Sequence, residues 1–245
     1  MAGIHERNAG RDAALTFVVV AVAVAALVQI KFELGPFGPV GPALVALLML
    51  YAPMRVATWR GEDIEDYGFV LGPLRRELVM VAIAVAVIVP VFAVVYFGFY
   101  DVACSSSALA HVVPAGMCSR YLGTGALKPF PLDGEFFQFV VVQLVVVAMT
   151  EELFFRGFLL GLLEKRFPPA RRVLGGGIGL ALVISAAAFA VVHVPRTGDP
   201  RQLMTFFPGL LFGWMRSSTK SIVPSTLTHL TCNVLIYVLD HMAQR

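Results

Sequence analysis

Apolar residues run along this chain in long unbroken blocks, without the alternation of a half-buried strand. Stretches free of Asp, Glu, Lys and Arg cover Ala13 to Ile30, Leu34 to Met54, Leu78 to Tyr100, Phe136 to Thr150 with an extension to Leu163, Val173 to Pro195, Gln202 to Met215, and Ser221 to Leu239. A helix needs about 20 apolar residues to cross a bilayer. Backbone groups facing lipid must be satisfied within their own segment, and these blocks lack the dyad pattern of barrel strands. The pattern therefore predicts an all-α, polytopic transmembrane helix bundle of about 7 to 8 spans. Six is also open, because the sixth block is short and Pro208 interrupts it.

Composition agrees with the pattern. Of 245 residues 58% are hydrophobic and 14% charged, against about 25% charged in a soluble domain, which excludes a water-soluble globule. Hydrophobic blocks fill most of the chain and leave no loop large enough to fold alone. We expect one membrane domain over 1–245, with N-terminal spans in 1–130 and a core in 131–245. The net charge of +3 is small and dispersed, so no nucleic-acid partner is expected.

The first span, preceded by Arg7 and Arg11, resembles a cleavable signal peptide, but the spans that follow favour a retained anchor. Loop charge sets the orientation. Arg7, Arg11, Arg55, Arg60, Arg75, Arg76, Lys165, Arg166, Arg171, Arg172, Arg216 and Lys220 fall on one side. Lys31, Arg120, Lys128, Arg196, Arg201 and Arg245 fall on the other. The N-terminus is thus expected in the cytoplasm and the loop from Asp101 to Glu135 outside. Cys104 and Cys118 share that loop and can pair in an oxidising compartment, whereas Cys232 reads as packing. Gly175, Gly176, Gly177 and Gly179 are expected to open the fifth span and let helices approach closely.

Chemistry concentrates where ionisable groups interrupt the blocks. Thr150, Glu151, Glu152 and Arg156 lie in apolar sequence, and each ionisable group near the bilayer centre costs about 2.5 to 3.5 kcal/mol. Glu152 and Arg156, four apart, can pair on one helix face. That leaves Glu151 unspent. The plainer alternative is that the cluster ends one helix at the membrane surface and starts another. His193 follows Phe189 at four residues, and Asn233 follows His229 at the same spacing. A lone histidine in an apolar run is more often packed than catalytic, but three embedded polar clusters are most cheaply satisfied in one cavity. There, a carboxylate in low dielectric holds its proton more tightly and can act as a base near neutral pH. Glu151 would activate water with His193, and His229 and Asn233 would present two donors to an oxyanion.

These elements, EExxxR at 151–156, FxxxH at 189–193 and HxxxN at 229–233, closely resemble the motifs of the CAAX protease and bacteriocin-processing family of intramembrane glutamic endopeptidases. The similarity covers roughly the last 115 residues. It implies a bundle of about eight helices around an interior cavity and a hydrolase with no covalent acyl intermediate. Glu151 and His193 would activate water, His229 and Asn233 would hold the oxyanion, and Glu152 and Arg156 would support the first motif.

No HExxH pair is present for a zinc protease of the site-2 type, and the Gly198–Asp199 pair lies in a loop, unlike the aspartyl type. A metal on Glu151, His193 and His229 is chemically open but ranks second, because Asn233 is a poor zinc ligand; no cofactor is expected. Two other classes compete: a transporter or proton relay, and a non-catalytic partner of the bacteriocin-immunity kind. Within the protease reading the partners are the bilayer and a membrane-anchored protein or peptide precursor. The Ala, Val and Gly content points to a bacterial inner membrane and favours a sorting tail or peptide precursor over a prenylated C-terminus. Depth arithmetic at about 1.5 Å per residue is discordant. Counted from Val173, His193 falls near the exterior, whereas Glu151 counted from Phe136 falls nearer the cytoplasm.

Overall fold

The computed structural model describes residues 2–30, 32–33 and 40–245, with the side chains of 2–7, 196 and 197 outside that description. Lys31, the head of the second predicted span at 34–39, and the side chains of Arg7 and Arg196 therefore lie outside the described residues. Helix accounts for 77% of the structure, and the one sheet among the described residues is a two-stranded hairpin. The class is all-α. The main helices are α1 (Ala2–Leu27), α2 (Val40–Arg60), α3 (Leu74–Ser105), α4 (Gly134–Arg166), α5 (Leu180–Thr197), α6 (Phe206–Thr219) and α7 (Val223–Ala243).

Four of these, α1 to α4, are long and apolar enough to cross a membrane. The apolar part of α5, Leu180–Pro195, is shorter, α6 is 14 residues long, and α7, at 21 residues, carries polar side chains along its length. Large side chains such as Val19, Ile83, Val87 and Val94 stand exposed on α1 and α3, in contiguous apolar surface of the kind that lipid covers. The inner faces bury Phe154, Phe155, Phe158, Leu160, Leu182 and Phe189 in one cluster.

α4 is a single helix of 33 residues, so its charged cluster does not mark a break between two helices. Asp133 caps its start, accepting a hydrogen bond from the Phe136 amide at 3.0 Å. Two π-helical stretches, Gln143–Ala148 and Leu153–Leu159, flank the α-helical turn Met149–Glu152. π-turns are uncommon and often occur at functional sites.

The predicted fifth span is corrected at its start. Residues 173–178 are not helical: β1 (Arg171–Val173) and β2 (Gly176–Ile178) form an antiparallel hairpin. Glycine is a poor helix former, and Gly175 sits at φ +86° in the turn. The glycines do permit close approach, though of a strand rather than a helix. A Cβ at Gly176 would lie 2.3 Å from the Trp214 side chain on α6, and one at Gly177 would lie 2.6 Å from Pro169. Starting α5 at Leu180 also removes the discordance in depth. At about 1.5 Å per residue, Glu151 is about 22 Å from Arg166 and His193 about 20 Å from Leu180, measured from the same end of the bundle.

That end gathers most of the basic loops. Arg60 Nη1 lies 2.6 Å from Asp12 Oδ2, Arg60 Nη2 lies 3.0 Å from Glu62, and Lys165 Nζ donates to Glu62 at 2.8 Å. At the opposite end Cys104 and Cys118 are disulfide-bonded, and Arg201 donates to the Val112 carbonyl at 2.9 Å. Cys232 is the free cysteine among the described residues.

Candidate active site

All three motifs face one cavity of about 380 Å³, lined by Glu151, His193, His229, Asn233, Gln143 and Cys232 among others. α4 supplies Glu151 from its central α-helical turn, α5 supplies His193, and α7 supplies His229 and Asn233 on successive turns. Glu151 Oε2 lies 3.8 Å from His193 Nε2 and 3.8 Å from His229 Nε2. That separation is too long for a direct hydrogen bond and suits one bridging water.

Each imidazole is oriented from its far side. His193 Nδ1 lies 2.7 Å from the Phe189 carbonyl, which can only accept, so Nδ1 is the donor there and Nε2 is the atom that faces Glu151. His229 Nδ1 lies 3.0 Å from Glu152 Oε1. That same oxygen is 3.0 Å from Arg156 Nη1, with both side chains fully buried. Glu152 therefore bridges a guanidinium and an imidazole.

Aromatic rings wall this triad off. The Arg156 guanidinium sits 3.9 Å from the Phe189 ring centroid and 5.2 Å from that of Phe212, a cation–π enclosure. Phe212 stacks on His229 at 5.1 Å. Gly209 supplies the necessary space, since a Cβ there would lie 3.3 Å from Arg156 Nη2. FxxxH is thus a packing unit as well as a spacing: Phe189 touches Arg156, His193 and His229.

Asn233 shares the cavity with His229, but its amide nitrogen donates to Gln143 Oε1 at 2.8 Å, leaving its second N–H for the cavity. Gln143, Phe212 and Cys232 were not anticipated from sequence. Gln143 had a faint signal as one of two amides in the apolar run before Glu151; Phe212 and Cys232 had none. Among the described residues no group of three His, Cys, Asp or Glu side chains is spaced to hold a metal ion.

A second, mainly apolar chamber of about 310 Å³ adjoins the first. It shares Gln143, Val147, Glu151 and His193 with it, and is otherwise walled by α1 and α2 through residues such as Val24, Val45 and Met49 and by Val146 of α4 and Val192 of α5. Glu151 therefore stands between a polar and an apolar compartment.

Residues 133–235 match the family model described as Rce1-like, Type II CAAX prenyl endopeptidase Rce1-like. That segment runs from the cap of α4 into α7 and contains all three motifs. No curated protein and no solved structure matches the chain. Over residues 133–235, somewhat under half of its length, the chain is thus similar to the CAAX prenyl endopeptidases.

Proposed function

We propose that the protein is a glutamate-dependent intramembrane endopeptidase. It cleaves a peptide bond near the C-terminus or membrane anchor of a membrane-associated protein or peptide precursor. The observation that carries this reading is the equidistance of Glu151 Oε2 from the Nε2 atoms of His193 and His229.

The chemistry follows from counting protons. A water at the centre meets three acceptors, the Glu151 carboxylate and two Nε2 lone pairs, but brings only two hydrogens. One further proton completes the set. His229 is the better place for it, because its Nδ1 faces the Glu152 carboxylate, whereas His193 faces a neutral carbonyl. Glu151 then takes a proton from the water as it attacks the scissile carbonyl, with His193 holding that water in line. His229 and the second N–H of Asn233 donate to the developing oxyanion. Glu151 returns its proton to the leaving amine, and no covalent acyl-enzyme forms. The apolar chamber accommodates the membrane-embedded flank of the substrate.

In this reading the N-terminus and the basic loops face the cytoplasm of a bacterial cell, and the disulfide loop faces the oxidising exterior. The deciding experiment is cleavage of a membrane-anchored reporter by the purified protein and by Glu151→Gln. We expect at least a 100-fold loss with an unchanged melting temperature. Unchanged cleavage removes the glutamate base. Proton uptake by sealed vesicles that the same substitution abolishes, without proteolysis of any substrate, favours a proton relay instead. Comparing processed C-termini of membrane proteins in cells with active and Glu151→Gln copies identifies the substrate.

A further inference from the structure

A third cavity, of about 320 Å³, lies away from the catalytic residues at the end of the bundle that carries the basic loops. Four cations line it, Lys165 from α4, Arg172 from β1, Arg216 from α6 and Lys220 just beyond α6, against the carboxylates of Asp66 and Glu164. Glu164 is already committed: its Oε2 is 3.3 Å from Arg216 Nη1 and 3.8 Å from Lys220 Nζ, and its Oε1 accepts from Ser217 at 2.7 Å. Lys165 is likewise paired with Glu62 at 2.8 Å, so the surplus positive charge comes from Arg172, Arg216 and Lys220 set against Glu164 and Asp66. Burial lowers the Lys220 pKa; Glu164 opposes this, and repulsion from Arg216 and Arg172 adds to it.

Arg216 is only 4% exposed, and its Nε has no hydrogen-bond partner. A buried guanidinium with a single carboxylate partner, beside Arg172 and Lys220 in a cavity with surplus positive charge, favours an anion. Gly161 keeps the wall open in front of it, since a Cβ there would lie 3.2 Å from Arg216 Nη2.

The surroundings indicate where the anion comes from. The hairpin that contributes Arg172 presents Leu174 at its tip, 81% exposed, beside the exposed Val173. Trp214 on α6 donates its indole N–H to the Val173 carbonyl at 2.9 Å. An apolar tip, an indole and arginines together suit the membrane–water interface, and basic pockets between helices on that side of a membrane take lipid headgroups. We propose that this cavity binds the phosphate of an anionic phospholipid headgroup, with Arg172, Arg216 and Lys220 as its donors. The site is separate from the peptidase reading and does not depend on it.

The full-length protein in neutral detergent, mixed with equimolar phosphatidylglycerol and phosphatidylcholine, tests this by native mass spectrometry. We expect at least tenfold preferential retention of phosphatidylglycerol. Arg172→Ala combined with Lys220→Gln should remove most of that preference. Both positions are solvent-accessible, so the melting temperature should hold. Inorganic phosphate at millimolar concentration should leave the retained lipid in place. Equal retention of the two lipids, or an undiminished preference in the double variant, overturns the proposal. Displacement by inorganic phosphate also overturns it, in favour of a site for a soluble anion.

Discussion

Glu152 Oε1 lies 3.0 Å from Nδ1 of His229, a residue 77 positions further along the chain. The same oxygen pairs with Arg156 in a fully buried setting, so one carboxylate neutralises a guanidinium and fixes the ring orientation of a histidine. Removing one member of a buried pair strands the other as an uncompensated charge, at a cost of about 3 to 5 kcal/mol. Glu152→Gln should therefore lower the melting temperature sharply, whereas Glu151→Gln should not. Thermal unfolding in detergent distinguishes the two, and equal melting temperatures would show that Glu152 is not the structural member of the pair.

Asn233 is held by Gln143 so that one N–H remains for substrate. If that N–H stabilises the oxyanion, Asn233→Ala should reduce kcat by about 100- to 1000-fold with little change in KM. Gln143→Ala, which frees the amide to rotate, should give a smaller loss of the same kind. Steady-state kinetics on a peptide reporter measures both, and a loss confined to KM would assign Asn233 to substrate binding.

At the basic end, Glu62 accepts from Arg60, Lys165 and Tyr67. Burial pushes its pKa upward, but hydrogen bonds from Arg60, Lys165 and Tyr67 outweigh burial and hold it at about 2, below its ordinary 4.5. A depressed carboxylate contributes stability that is fully present above pH 4.5 and is lost as pH falls towards 2. Melting temperature should therefore decline over that window. Glu62→Gln should lower stability at neutral pH by about 1 to 3 kcal/mol and flatten the acid limb. An acid limb of unchanged slope in the variant would place the titrating group elsewhere.

The Cys104–Cys118 disulfide, with 14 residues of sequence separation, closes a loop of a size worth about 3 kcal/mol through the unfolded chain. Replacing both cysteines with serine should lower the unfolding free energy by that amount and leave the catalytic cavity intact. Once the disulfide is reduced, a membrane-impermeant maleimide should label the two thiols from outside intact cells. Labelling only after lysis would reverse the assigned orientation.

Legibility in the sequence divides along physical lines. Glu151, Glu152, Arg156, His193 and His229 were legible because an ionisable group stands out in an apolar run and its expense demands partners elsewhere. The hairpin at 171–178 was not, since Val173 to Gly179 is apolar and uncharged and reads as the start of the helix that begins at Leu180. The cavity of Lys165, Arg172, Arg216 and Lys220 was also invisible. Each cation is an ordinary loop charge until tertiary structure brings them together. Gln143 became informative only once Asn233 was seen beside it.

The two π-helical stretches of α4 make its geometry sensitive to which residue is lost. Each wide turn accommodates more than the usual 3.6 residues, so deleting one residue within Gln143–Ala148 or Leu153–Leu159 closes it to an ordinary α-turn and leaves the two halves of the helix nearly in register. The turn Met149–Glu152 between them is regular α-helix and has no surplus to give up, so deleting Met149 or Thr150 would rotate one half against the other by about 100°. The same one-residue loss is absorbed in one turn and, in the next, parts the acid from the rest of its cavity.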